Sequence, residues 1–345
     1  MPLDFSSDTS APTHPAVLTA LAEANQGSAP SYGGDPFSAR LQAALMALFE
    51  TETLAVWPCA SGTAANALAL SVMCRPTGAI LCHEEAHIER DERGAPEFFT
   101  GGAKLHLLPG EGGQIEEQAL RDALAALQPD FVHETPAEVL SLTQLTECGT
   151  AYTIDRLTHY AALAHEAGLT VHLDGARFAN ALVRREVSPA EMSWKAGIDV
   201  LTLGLTKTGA IGCELIILFG EMAERASLLR ARAKRGGHMP PKLRFLAAQA
   251  LALFEDGLWL DLARRANRSA RLVADLLCAQ PGVELAYPVD GNEVFVRLPQ
   301  DLLRRLSNAG ATFYPWPGGS HRLVCSWATG GDTIEDLSRL LRDQT

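Results

Sequence analysis

The sequence predicts an α/β protein in which a large domain on a mostly parallel sheet precedes a smaller α+β domain. Three observations carry this. Short apolar runs alternate with helical patterns through the first two thirds of the chain, which implies parallel strands covered by helices on both faces. Two of those runs lead into a chemically special residue: Val171-His172-Leu173-Asp174 and Leu201-Thr202-Leu203-Gly204-Leu205-Thr206-Lys207. After Gly220 the texture changes to long helical stretches with a few short strands. The expected division is 1–240 for the large domain with its N-terminal arm, and 241–345 for the small one.

Each element has a local reason. Residues 1–35 are rich in Ser, Pro, Gly and Ala and predict an extended arm with one short helix over 15–25. Apolar positions Phe37, Leu41, Leu45, Leu48 and Phe49 predict a helix over 36–50. A strand over 54–57 leads through the turn 59–63 into an Ala/Leu-rich helix ending at 73. Strands follow at 79–82 and 104–108, then a helix over 115–127 that stops at Pro129. A further strand starts near Phe131 and continues to 139–142. The helix 154–167 is closed by Gly168. The strands 170–173 and 200–203 carry Asp174 and lead to Lys207. Beyond them come a helix over 223–233, a break at 235–241 and a helical region over 242–280. Strands at 293–298 and 322–326 and helices at 301–308 and 333–342 complete the chain.

Composition bounds the function. With 345 residues, 47% of them hydrophobic, the chain can bury a large core. A formal charge of -12 argues against a nucleic-acid partner, which needs a basic face. The longest apolar runs, such as 215–219, are far too short for a bilayer. The first residues hold neither a basic region nor an apolar core of signal-peptide length, so the cytoplasm is the expected compartment. Seven cysteines form no Cys-x-x-Cys pair, which reads as buried reduced thiols; neither they nor the ten histidines show metal-ligand spacing, so no metal is expected.

The chain has five lysines. Lys104 lies in a strand-like segment, Lys195 in a helical one, and Lys234 and Lys242 flank a Gly-Gly turn. Only Lys207 follows a long apolar strand and precedes a small-residue turn. A carboxylate and a lysine at the carboxyl ends of two buried strands suit pyridoxal phosphate (PLP). The lysine forms a Schiff base with the cofactor aldehyde, and the acid keeps the pyridine nitrogen protonated. Ser61-Gly62-Thr63 lies between a strand and a helix, where free N–H groups and the helix dipole favour a phosphate. The same tripeptide is also a good helix cap. Beside Asp174 and Lys207, at strand ends where α/β sheets bind ligands, it reads as a phosphate site.

Over essentially its whole length the chain resembles the threonine aldolase family of PLP enzymes, with the aspartate aminotransferase type of fold. The resemblance runs through Ser7-Asp8-Thr9, Tyr32-Gly33-Gly34-Asp35-Pro36, Ser61-Gly62-Thr63-Ala64-Ala65-Asn66 and Glu85-Ala86-His87. It continues through His172-Leu173-Asp174-Gly175-Ala176-Arg177 and Leu205-Thr206-Lys207 to Arg322-Leu323-Val324. It implies a seven-stranded type of sheet in the PLP-binding domain. It also implies that Lys207 is the Schiff-base lysine with Thr206 beside it, that Asp174 pairs with the pyridine nitrogen, and that His87 stacks on the ring. Ser61, Gly62 and Thr63 would hold the phosphate. Arg177 and Arg322 would orient cofactor and substrate, Arg322 as the bidentate carboxylate clamp. His133 matches a histidine near the substrate hydroxyl, and Ser7 a serine at the substrate carboxylate. Glu92 matches a glutamate near the active site, although 89–93 also reads as a solvated charged run. Tyr32, toward substrate, and Lys242, toward cofactor, would reach across the interface of a homodimer or homotetramer.

The implied reaction is the reversible retro-aldol cleavage of an L-β-hydroxy-α-amino acid (threonine, allo-threonine or phenylserine) to glycine and an aldehyde. His87 or His133 would handle the hydroxyl proton. Ser6 stands where the family often has arginine, and 143–150 replaces a Glu-Asn-Thr-His-Asn segment, which leaves the preferred side chain open. The alternatives are a β-eliminating lyase or aminotransferase on the same fold, or a non-catalytic PLP-binding protein.

Overall fold

The computed structural model describes residues 3–128 and 130–342; the expected helix stop at Pro129 lies outside the described residues. The large sheet has seven strands: β1 (Leu54–Cys59), β2 (Ala79–His83), β3 (Lys104–Leu108), β4 (Ala137–Thr143), β5 (Thr170–Gly175), β6 (Val200–Gly204) and β7 (Glu214–Phe219). Their order is β1-β7-β6-β5-β4-β2-β3, and β7 alone runs antiparallel to its neighbours. The sheet is thus seven-stranded and mostly parallel, as expected. The run at 215–219, noted in sequence only as too short for a membrane, is its antiparallel strand.

Both faces are covered, and β7 shows how. Leu215, Ile217 and Phe219 enter one apolar core while Ile216 and Leu218 enter the other. That is the period-two alternation of a strand with two buried faces. The helix Gly62–Met73 packs into the second core with Ala65, Leu68, Ala69 and Val72. Helix Ile154–Glu166 covers the first with Leu157, Tyr160, Ala161 and Ala164.

A second, antiparallel sheet follows: β8 (Glu284–Leu285), β9 (Glu293–Arg297), β10 (Tyr314–Trp316) and β11 (Ser320–Val324), in the order β10-β11-β9-β8. Its core includes Val294, Val296 and Leu323, with Ala270, Val273 and Leu277 from helix Leu258–Cys278. The arm joins it: Phe5 N–H donates to the Thr312 carbonyl at 2.8 Å, and Val324 N–H to the Phe5 carbonyl at 2.8 Å. Helix Arg244–Phe254 instead gives Ala247, Ala250 and Leu253 to the large core. The expected division at 240/241 therefore precedes a helix that serves the first unit.

Two other expectations shift. The stretch 131–134 is an exposed turn and β4 starts only at Ala137, because Pro136 and the polar pair His133-Glu134 interrupt the apolar pattern. The helical region 242–280 is two helices, broken where Asp256 and Gly257 take positive φ of 51° and 70°. Among the described residues, no helix is long and apolar enough to cross a membrane.

Candidate active site

The carboxyl ends of the parallel strands meet at one edge of the sheet. There, a cavity of about 280 Å³ is lined by Ser61, Gly62 and Thr63 after β1, Asp174 on β5, and Thr206 and Lys207 after β6. Glu214 reaches the same edge because β7 runs the other way.

Asp174 is buried, and its carboxylate is held by donors. Oδ1 accepts from Ala176 N–H at 2.9 Å and Oδ2 from the Asn66 amide at 2.7 Å. Among the described residues no lysine or arginine pairs with it, so it suits a ligand that brings an N–H. The Asn66 amide also donates to Glu92 Oε1 at 2.9 Å, and its oxygen accepts from Thr202 Oγ1 at 2.7 Å. Glu92 Oε1 in turn meets His87 Nδ1 at 2.8 Å. His87, Glu92 and Asp174 place their ligand-type atoms within 4.8 Å of one another. The network is therefore His87–Glu92–Asn66–Asp174, with Thr202 bracing the amide. Burial opposes a charged imidazole at His87, but the Glu92 hydrogen bond and the Asp174 charge outweigh it and raise its pKa. Burial raises that of Glu92. Glu147 Oε1 accepts the His87 backbone N–H at 2.8 Å, and burial lifts its pKa to about 7.

Lys207 sits on the single turn Thr206–Thr208. Gly204 ahead of it lies so close to the chain after Asp174 that a Cβ there would meet the Ala176 carbonyl oxygen at 2.4 Å. Gly209 behind it has φ 118°, a conformation that favours glycine. The close approach at Gly204 brings the ends of β5 and β6 together. Glu214 Oε2 accepts from Leu205 N–H at 3.1 Å, and burial lifts its pKa to about 7. At the other end of the cavity, Ser61 caps the helix Gly62–Met73 by accepting from Ala64 N–H at 3.3 Å. The first-turn N–H groups of that helix have no partner within it. Open space surrounds the position where Gly62 would carry a Cβ, so nothing of the protein fills this cradle.

The arm closes the site. Thr9 lines the cavity, and buried Asp8 receives Arg177 through Nε at 2.8 Å and Nη2 at 3.1 Å. Burial opposes ionisation of Asp8, yet Arg177 and Lys207 hold its pKa down. Arg177 also faces Glu293 at 3.4 Å, and Glu293 faces Arg322 at 3.9 Å.

Ser61, Gly62, Thr63, His87, Asp174, Arg177, Thr206 and Lys207 thus share one cavity. Ser7 stands beside it but spends its side chain locally, accepting from Thr9 N–H at 3.1 Å. Tyr32 and Lys242 lie apart from the cavity and near one another: Tyr32 N–H donates to the Pro241 carbonyl at 2.9 Å. His133 requires correction. It is exposed in the turn ahead of β4, edge-on to Phe131 with 5.3 Å between ring centres. The amino end of a parallel strand is the wrong edge of the sheet, so His133 does not line the cavity of its own chain. Asn66, Thr202, Glu147, Asp8 and Glu293 carried no role in the sequence reading. Asn66 and Asp8 stood inside quoted motifs, but only the fold shows what their side chains touch.

The family described as beta-eliminating lyase matches residues 4–300. A low specificity L-threonine aldolase of Pseudomonas aeruginosa is 42% identical over 339 residues, covering 98% of this chain and 96% of its own. A second, from a Pseudomonas species, is 40% identical over 339 residues with the same coverage of 98% and 96%. Among solved structures, Leishmania major threonine aldolase superposes with a TM-score of 0.89 at 28% identity, over 99% of this chain and 100% of that one. An aspartate aminotransferase from Rhodobacter sphaeroides shares the fold, with a TM-score of 0.70 at 18% identity over 99% and 92% of the two chains. The cation-free Asp174, the open helix N-terminus and a lysine between them fit the cofactor of these enzymes. The chain belongs to the beta-eliminating lyase family and, within it, groups with the low-specificity L-threonine aldolases, PLP-dependent lyases.

Proposed function

We propose that this protein cleaves L-β-hydroxy-α-amino acids, with threonine, allo-threonine and phenylserine as the substrate class, reversibly to glycine and an aldehyde. The observation that carries the reading is the joint placement of Lys207, Asp174 and the Ser61–Thr63 cradle in one cavity of a chain 42% identical to a low specificity L-threonine aldolase. When bound, PLP supplies an aldehyde for Lys207 and an electron sink for the bond that breaks.

The chain's own residues do the rest. Ser61, Gly62 and Thr63 would hold the phosphate, and Asp174, pinned by Asn66, would hold the proton on the ring nitrogen. Arg322, linked to Arg177 through Glu293, would take the substrate carboxylate, and the arm residue Ser7 would serve the same carboxylate. Arg177 braces that arm through Asp8. His87, which lines the cavity, would stack on the ring and take the β-hydroxyl proton. Its Nδ1 is turned to Glu92, which leaves Nε2 for the substrate. Tyr32 and Lys242 serve the site of a neighbouring subunit in a homodimer or homotetramer, which accounts for their distance from the cavity of their own chain. The two-unit division belongs to this reading too, supported by the two separate sheets and cores. So does a cytoplasmic location, supported by seven cysteines that are all free thiols.

The test runs the reaction backwards. Purified holoenzyme given glycine and benzaldehyde is expected to form phenylserine, consuming the two in equal amounts. Glycine left intact at every aldehyde concentration, with transfer of amino groups from other amino acids to an added 2-oxo acid, would favour an aminotransferase.

A further inference from the structure

Glu293 is 1% exposed, yet neither of its carboxylate oxygens accepts a hydrogen bond. Buried polar groups are almost always paired, so an orphaned carboxylate beside a binding site calls for a reason. It stands between two guanidinium groups, with Oε2 3.4 Å from Arg177 Nη1 and Oε1 3.9 Å from Arg322 Nη1. Arg177 is already committed, because Asp8 occupies its Nε and Nη2. Arg322 is not: among the described residues no acid hydrogen-bonds it, and its Nε is buried without a partner. Trp316 and Tyr314 flank its guanidinium carbon with ring centres 5.3 and 5.9 Å away.

Burial raises the pKa of Glu293, while Arg177, Arg322 and Lys207 favour its charged form. With Glu293 ionised, the charges in this cluster balance. Asp8 and Glu293 oppose Arg177 and Arg322, while Lys207, which also acts on Glu293, is reserved for the cofactor. A substrate carboxylate arriving at Arg322 adds a third anion to two cations in a partly solvated site. It can do so favourably only by displacing Glu293 from its electrostatic hold on Arg322. We propose that Glu293 is an internal carboxylate that competes with the substrate for Arg322, and so sets how tightly the site takes a carboxylate ligand. The proposal rests on the reading of Arg322 as the substrate clamp. Glu293 acts through Arg322 and is a positioning residue. By holding the guanidinium near without saturating it, Glu293 keeps the fork available and weakens the capture of simple carboxylates that lack the rest of the substrate.

The test is calorimetric titration of the holoenzyme with glycine and, separately, with acetate. Glu293→Gln keeps the volume and removes the charge. Both ligands are then expected to bind about fivefold tighter, the scale of one nearby charge in a partly solvated site. Failure of either ligand to bind tighter overturns the proposal. Arg322→Lys, titrated in parallel, separates the two readings. Weakened acetate binding there, with no tightening in Glu293→Gln, removes only the competition. Unchanged acetate binding in Arg322→Lys removes the clamp and the competition with it. If the Gln variant does not accumulate, Glu293→Asp draws the charge back by one methylene. It is expected to tighten both ligands in the same direction, and unchanged or weaker binding again overturns the proposal.

Discussion

Lys207 and His87 are each held by a short piece of local structure, and each yields a prediction. Lys207 rides on one turn between Gly204 and Gly209. Lys207→Ala is expected to abolish turnover, and borohydride reduction of the variant should attach no cofactor to the chain. Turnover near the wild-type rate in the purified variant would remove Lys207 from the mechanism. His87 depends on Glu92. Because the Glu92 hydrogen bond is a main cause of its raised pKa, Glu92→Gln should lower that pKa. His87 must be neutral to accept a proton, so the acid limb of the kcat/KM profile is expected to move to lower pH. A limb that stays in place while activity falls would mean that Glu92 only supports the fold. Lys207 and Asp174 were legible in the sequence because each ends an apolar strand, a one-dimensional signal. Glu92 was legible only through the family resemblance, because its neighbours 89–93 also read as a charged surface; the fold turns that residue inward, 4% exposed.

At the scale of elements, β4, β5 and β6 bring a buried histidine beneath the site. His172 on β5 meets Ser141 Oγ on β4 at 2.9 Å and Thr202 Oγ1 on β6 at 3.4 Å. Burial pushes its pKa down to about 4, with Asp174 opposing the shift. A histidine with a depressed folded pKa stays neutral in the folded state while the unfolded chain takes up a proton. Its cost therefore appears as pH falls below the unfolded value near 6.5 and stops growing near 4. Over that window the wild type is expected to lose about 3 kcal/mol relative to His172→Gln, which cannot titrate. Denaturant unfolding of both proteins from pH 7 to pH 4 measures the difference. A constant difference would mean that His172 takes up its proton at the same pH in the folded and unfolded states. In sequence β2, β5 and β6 were marked as apolar runs buried on both faces, but β7, equally apolar and buried, carried no strand assignment there. The failure at 131–134 came from the same rule, because Phe131-Val132 is apolar yet exposed, 45% and 87%.

For the whole molecule, topology decides which residues can meet. His133 matched a family position by local pattern, yet the sheet puts it at the amino edge while the site lies at the carboxyl edge. No reading of residue types near 133 could supply that. The arm shows the converse: Asp8, Arg177 and Asn292 are far apart in sequence and hydrogen-bonded in the fold. Tyr32 and Lys242 raise the same question between subunits. If Lys242 serves a neighbour, inactive Lys207→Ala and Lys242→Ala proteins should regain activity when dissociated together and reassembled, because one hybrid site receives both lysines. No regain in a mixture shown to contain hybrids would confine Lys242 to its own chain.

The carbon balance on threonine tests the proposed reaction most directly. Purified holoenzyme is expected to release one glycine for each acetaldehyde, with no ammonia, because the Cα–Cβ bond breaks and the amino group stays on the two-carbon product. Ammonia with 2-oxobutanoate in place of glycine and acetaldehyde would contradict it and make the protein an eliminating lyase in activity as well as in family name.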